Sequence, residues 1–196
     1  MDVLLAAGAV VVAYFLGTFP SAELVARRAG TDISKVGSGN PGASNVIRSL
    51  GWKAGLTVFA MDMAKAAIGI ATAWAVSGEH RSWLSYAALC AAVVGHTYPV
   101  TRRFKGGKGV ASGGGGMLVL FPITSLVCLV TWFVVSRLTH KASVASLVIT
   151  ILTPIGMVLT GALWWEVAVV VALAAFIVIK HLPNIRRLRS RSEPSL

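Results

Sequence analysis

The chain is short of acidic groups, cysteine and histidine. Its 196 residues include 7 Asp and Glu, 2 Cys and 4 His, against 18 Lys and Arg. Cys90 and Cys128 each lie in an apolar run, which argues against a disulfide framework. No group of Cys, His and carboxylates has metal-ligand spacing, so neither a metal nor a cofactor is expected. The carboxylates are too few for a paired acid–base site, and no Gly-x-Ser-x-Gly elbow occurs. A Walker A loop is missing as well, because Arg102 stands where its first glycine belongs. No solenoid repeat and no domain-sized soluble loop is evident. The opening residues, MDVLLAAGAVVVAYFLG, lack a basic segment and a convincing cleavage site, and read as a retained span.

Apolar residues are abundant. They make up 56% of the chain, and the mean hydropathy is +0.76. Soluble domains are less apolar, so the class is an integral membrane protein. A net charge of +11 in such a protein faces the cytoplasm and its anionic lipids. Nucleic acid is not expected as a partner, since no soluble basic domain exists to bind it.

Runs of spanning length cover 3–26, 54–78, 82–100, 142–160 and 161–180. The segment 109–136 is one long span, or two short ones broken at Phe121-Pro122. Charge decides between these. With the break and an outer N-terminus, sixteen Lys and Arg fall inside: five in 27–53, four in 102–108, two in 137–141 and five in 180–191. Only Arg81 is then outside, and Lys65 lies within a span. Without the break, nine are inside and eight outside. The positive-inside rule selects the break. The expected fold is an all-α bundle of seven transmembrane helices, N-terminus outside and C-terminus cytoplasmic. Its fourth span is short and glycine-rich, and must be buried by protein or line a wet cavity. Residues 1–189 read as one transmembrane domain, and 190–196 as a frayed tail.

The polar segments gather on the inner side. GSGNPGASNVIR, Gly37 to Arg48, matches Gly-x-Gly-x-x-Gly at Gly37, Gly39 and Gly42, but no strand precedes it, so no dinucleotide fold follows. Its glycines can turn backbone N–H groups toward an anion. Ser38, Asn40, Ser44 and Asn45 add donors, and Arg48 can grip phosphate. This combination favours an anion site over a solvated turn. FKGGKGVASGGGG, Phe104 to Gly116, holds seven glycines and two lysines. Lys105 and Lys108 read as phosphate ligands, and Gly106 and Gly107 as points of close backbone approach. The run Gly113–Gly116 reads as helix packing. His96 is a structural hydrogen-bonder or a base. Asp62 and Lys65, three apart inside a span, pair with each other or organise a site. Arg102 and Arg187 are assigned to lipid headgroups. Ser143, Ser146, His181 and Asn184 lie at the same expected depth but are not diagnostic alone. A transporter of a small phosphorylated anion fits these loops too, but the outer loops carry almost no cations for its exit route. A structural protein binding anionic lipid is a third reading, in which Ser38 and the asparagines are dispensable.

GSGNPGASNVIR, GHTYPVTRRFKGGKGVAS and HLPNIRRL together resemble the acyl-phosphate–glycerol-3-phosphate acyltransferase family, PlsY, over nearly the whole chain. The resemblance implies transfer of a fatty acyl group from acyl phosphate to the C1 hydroxyl of glycerol 3-phosphate, giving lysophosphatidic acid and phosphate. It implies a bacterial inner membrane, a cytoplasmic active site, surrounding bilayer lipids and a donor made by the acyl-phosphate synthase PlsX. Ser38, His96 and Asn184 become catalytic candidates. Gly37, Gly39, Asn40, Asn45, Arg48, Lys105, Gly106, Gly107, Lys108, Ser146 and His181 become substrate or phosphate ligands, with Asp62 and Lys65 supporting them. The His-x4-Asp dyad of acyl-CoA enzymes is absent after His80, His96, His140 and His181. Ser44 stands where Thr is common, and Arg191 where Gly is usual, two before Glu193, whose role stays open. The proton acceptor is His96 or a substrate phosphate.

Overall fold

The computed structural model describes residues 2–196, and their regular structure is ten α-helices and one 3₁₀ turn, with no strand among the described residues. The helices form two compact units, one ending at Leu120 and one beginning at Phe121.

The first unit contains α1 (Val3–Gly17), α2 (Ser21–Arg28), α3 (Ala43–Leu50), α4 (Trp52–Ser77), α5 (Trp83–Thr97) and α6 (Val110–Leu120). Asp2 caps α1 by accepting from the Leu4 N–H at 2.8 Å. Pro20, which offers no N–H, separates α1 from α2. Close approach between helices rests on small residues. A side chain at Gly17 would meet the backbone of Ala92 on α5, and one at Gly95 the Tyr14 carbonyl on α1. Gly69 of α4 lies against Ala13, which is fully buried. The glycine run packs as expected at Gly115, against the Met63 backbone of α4, and at Gly116, against Leu89 and Ile70. Gly114 meets nothing within 4 Å.

The second unit contains α7 (Pro122–Thr139), α8 (Ala142–Leu159), α9 (Trp164–Lys180) and α10 (Leu182–Arg189). α7 packs on α8, and α8 on α9. Glu166, fully buried, caps α9 by accepting from Leu163 N–H at 2.6 Å. The sequence reading had left this carboxylate unassigned.

The break between the fourth and fifth expected spans is present. α6 stops at Leu120, and α7 starts with Pro122 in its first turn, where the missing N–H is no loss. By length and composition, α1 with α2 (Val3–Arg28), α4, α7 and α8 each suffice to cross a bilayer. α9 and α10 qualify together, bent by 53°. Four or five spans are therefore evident, short of the seven expected. The difference lies in α5, with 15 residues, and α6, with 11. Apolar side chains such as Leu4, Phe15, Ile123, Val130 and Leu159 are exposed, as lipid-facing groups must be. The tail does not fray. Lys141 Nζ donates to the Glu193 carbonyl and to Ser195 Oγ, and the Leu196 N–H to the His140 carbonyl at 2.9 Å.

Candidate active site

In the first unit the loop between α2 and α3 is pinned from below. Ala22, Ala26, Ile33, Val46 and Val58 form a buried apolar cluster that anchors the loop and α3 to α2 and α4. Above it, the fully buried Asn45 fastens the loop from inside. Its Oδ1 accepts from Ser38 N–H at 2.9 Å, and its Nδ2 donates to the carbonyls of Val36 at 3.0 Å and Ile33 at 3.4 Å. Gly37 and Gly39 have φ of +57° and +67°, a region closed to most side chains. A side chain at Gly37 would also strike Asn45 Oδ1. The loop presents Ser38 outward. Ser38 Oγ accepts from Arg48 Nη2 and from the Asn40 N–H, each at 3.4 Å. Both partners are donors, so the hydroxyl proton points elsewhere. Asn45 thus holds the loop that carries Ser38, with its amide committed to the protein.

A second cluster joins α4, α5 and the glycine loop that follows α5. Lys65 Nζ pairs with Asp62 Oδ1 at 2.8 Å, donates to the Phe19 carbonyl at 3.1 Å, and lies 3.0 Å from His96 Nδ1. Asp62 Oδ1 is 3.6 Å from the same ring nitrogen. Nδ1 can accept from the Lys65 ammonium or donate to the Asp62 carboxylate, and acceptance from Lys65, the shorter contact, leaves the ring proton on Nε2. Nε2 faces the glycine loop: a side chain at Gly107 would overlap it, and Gly107 N–H donates to the His96 carbonyl at 3.1 Å. At Gly106 a side chain would meet the carbonyls of His96 and Thr97. Asp62 and Lys65 therefore both neutralise each other and organise His96. Lys105 is exposed and Lys108 half-buried on this loop.

Arg102, assigned to lipid headgroups above, has a carboxylate partner. Its Nη1 donates to Glu23 Oε1 on α2. The sequence reading missed this pair, although the scarcity of carboxylates had made each one informative.

The remaining candidates belong to the second unit. His181 Nδ1 bonds the Ile177 carbonyl at 2.8 Å, which places its proton on that nitrogen. Ser146 Oγ accepts from Trp132 Nε1 at 3.1 Å. Asn184 Nδ2 donates to Glu193 Oε1 at 2.7 Å, and Arg187 Nε to Glu193 Oε2 at 2.7 Å. Arg187, likewise assigned to lipid headgroups above, is held by a carboxylate. Burial alone would raise the Glu193 pKa, but hydrogen bonds including these two outweigh it and hold the carboxyl below its usual range. Among the described residues no group of three or more His, Cys, Asp or Glu is placed to hold a metal.

The first unit thus sets a polar glycine loop against a buried Asp–Lys–His network within an all-helical membrane protein. The family model described as glycerol-3-phosphate acyltransferase matches residues 7–191, so the chain belongs to that family. The glycerol-3-phosphate acyltransferase of Thioalkalivibrio sulfidiphilus is 40% identical over 194 residues, covering 98% of this chain and 95% of the relative. That of Thermus thermophilus is 38% identical over 185 residues, covering 94% and 92%. The crystal structure of PlsY (YgiH), an integral membrane glycerol 3-phosphate acyltransferase, in its glycerol 3-phosphate form has a TM-score of 0.91 at 34% identity, covering 97% of this chain and 95% of that one. Its lysophosphatidic acid form has a TM-score of 0.90. The protein is a multi-pass membrane protein of an acyltransferase family.

Proposed function

We propose that the protein transfers a fatty acyl group from acyl phosphate to the C1 hydroxyl of glycerol 3-phosphate. The C1 oxygen attacks the acyl carbonyl, the carbon–oxygen bond to phosphate breaks, and the hydroxyl proton goes to a phosphate oxygen. Lysophosphatidic acid and inorganic phosphate result.

The observation that carries this reading is the placement of His96, with Nδ1 3.0 Å from Lys65 Nζ and Nε2 against the glycine loop. In this reading Nδ1 accepts from Lys65 and Nε2 carries the proton, so the ring donates toward the glycine loop and offers no lone pair as a base. Arg48 Nη2 and the Asn40 N–H likewise donate to Ser38 Oγ. Such a site suits a donor that needs no enzyme base. Acyl phosphate is a mixed anhydride with a good leaving group, and a phosphate with a second pKa near 6 can take the proton itself.

Charge is then the main difficulty. Two phosphates of about −1.7 each, about 6 Å apart at an effective dielectric of about 20, repel by about 8 kcal/mol. In this reading Arg48, Lys105, Lys108 and the loop N–H groups at Gly37, Gly39, Asn40, Gly106 and Gly107 offset that repulsion. Ser38 O–H and His96 Nε2–H donate to phosphate or to the oxyanion. His181, Asn184 and Ser146 take substrate-contacting roles on the strength of the resemblance, and Glu193 holds Asn184. Seven spans, an outer N-terminus, a cytoplasmic C-terminus and a bacterial inner membrane complete the proposal. One domain over residues 1–189 carries the activity, with PlsX as supplier of the donor.

The test gives purified protein acyl phosphate and labelled glycerol 3-phosphate and follows lysophosphatidic acid. We expect product from acyl phosphate and not from acyl-CoA. Arg48→Ala and Lys108→Ala should each lose a charge-assisted contact of about 2–3 kcal/mol, so kcat/KM falls about 30- to 150-fold. Comparable turnover with the thioester, or near-normal activity in both folded variants, defeats the reading.

A further inference from the structure

The loop that carries the two lysines is bent in a way that needs support. After a 3₁₀ turn at Val100–Arg102, Arg103 and Phe104 both adopt positive φ, 51° and 61°. Neither is glycine, and an aromatic residue in the left-handed region is uncommon. Strained backbone of this kind persists only where its surroundings over-determine it, and it gathers at functional segments. Within the turn, the N–H groups of Arg102 and Phe104 donate to the Pro99 carbonyl at 3.0 and 2.9 Å, and that of Lys105 to the Arg102 carbonyl at 3.1 Å. These bonds shape the turn but attach it to nothing else.

Three contacts attach it: at its start the Val100 N–H donates to Tyr14 Oη on α1 at 3.2 Å, and two more lie further along. At its far end, Gly107 N–H donates to the His96 carbonyl, and the two glycines lie flat against His96 and Thr97. At its near end, Arg102 donates to Glu23, which projects from the first turn of α2. The side chains of Arg102 and Glu23 are 17% and 22% exposed, so the pair is shielded from bulk water. The exposed Lys105 hangs between the Arg102 and Gly107 anchors, and Lys108 follows Gly107 by one residue.

We propose that Glu23 and Arg102 are positioning residues for acyl transfer. Their ion pair clasps the strained turn to α2 and fixes the backbone from which Lys105 and Lys108 reach phosphate. Neither residue touches substrate in this scheme. Loss of either member removes the anchor next to Arg103, leaves the near end held only by the Val100–Tyr14 bond, lets Arg103 and Phe104 relax, and moves the lysines off their ligand. The proposal rests on the phosphate-binding role given to those lysines above.

Glu23→Gln, Arg102→Gln and the exchanged pair Glu23→Arg with Arg102→Glu separate this role from a general structural one. In purified full-length protein, each single variant should raise KM for glycerol 3-phosphate about 5- to 50-fold while kcat changes less than about threefold. The exchanged pair should return KM to within about threefold of wild type. A second readout needs no substrate: trypsin should cut after Arg103 faster in both single variants than in wild type, and slowly again in the exchanged pair. Wild-type KM and wild-type cleavage in Glu23→Gln overturn the proposal. So does a defect in Arg102→Gln with none in Glu23→Gln, which returns Arg102 to lipid headgroups. If wild-type protein makes no lysophosphatidic acid from acyl phosphate, the functional reading fails, and the trypsin rates alone decide whether the clasp exists.

Discussion

One methyl group added at Gly107 tests the glycine loop most directly. The new carbon would overlap His96 Nε2, and Cε1 of the ring lies close behind. The ring cannot yield easily. Its other nitrogen is held by Lys65 at 3.0 Å, and its carbonyl by the Gly107 N–H itself. The loop must move instead, carrying Lys108 with it. Overpacking of this kind costs about 1–3 kcal/mol, and misplacing a binding group by about 1 Å can reduce a rate about 100-fold. We expect Gly107→Ala to lower kcat/KM about 5- to 150-fold, mostly through KM for glycerol 3-phosphate. Gly114→Ala is the control, because nothing lies within 4 Å of the added carbon. It should leave activity intact and stabilise α6 by about 1 kcal/mol, the helix preference of alanine over glycine. Steady-state kinetics and thermal unfolding in detergent read both effects. Activity within twofold of wild type in folded Gly107→Ala, or equal damage from Gly114→Ala, would refute the reasoning.

Three other outcomes follow. His96→Gln keeps a donor near the Nε2 position, so it should retain more activity than His96→Ala; an equal loss of about 10²- to 10⁴-fold in both variants would make His96 the base. Glu193 has a folded pKa below the usual 4.5, so its bonds to Asn184 and Arg187 stabilise the protein above pH 4.5 and that contribution fades as pH falls through the folded value. Glu193→Gln should therefore lower Tm at pH 7 and flatten the acid dependence; an unchanged Tm at pH 7 contradicts this. Ser190→Cys should resist an impermeant thiol reagent added outside intact cells, and labelling from that side would overturn the cytoplasmic C-terminus.

The sequence displayed some of this plainly and hid the rest for identifiable reasons. The break before Pro122 was legible because charge on the two flanking segments permits only one sensible threading, and proline marks the new first turn. Tight packing at Gly115 and Gly116 was legible as a cluster of small residues on one short helix. Asn45 was placed among the ligands because a motif shows which groups are present, not which way an amide turns. Folding turned this one inward, since Ser38 N–H and the carbonyls of Val36 and Ile33 would otherwise lack partners. The tail was expected to fray because its short polar sequence ends the chain, and pattern alone does not reveal a carboxylate meeting Asn184 and Arg187 across a helix end.

Long-range charge pairs were the least legible. Glu23 and Arg102 are 79 positions apart, and Lys65 and His96 are 31 apart. No local period links such residues; only the packing of α2, α4 and α5 brings them together. Yet the composition held a usable constraint. In a chain with 7 carboxylates and 18 Lys and Arg, a carboxylate left unpaired near the bilayer is costly, and each one has many potential partners. Asp62, Glu23 and Glu193 all prove to hold a cation, and in each case that cation or its neighbour belongs to a loop or helix end expected to meet substrate. A carboxylate that meets a cation distant in sequence is thus more informative than one that caps a helix, as Asp2 and Glu166 do, or pairs locally, as Asp32 does with Lys35.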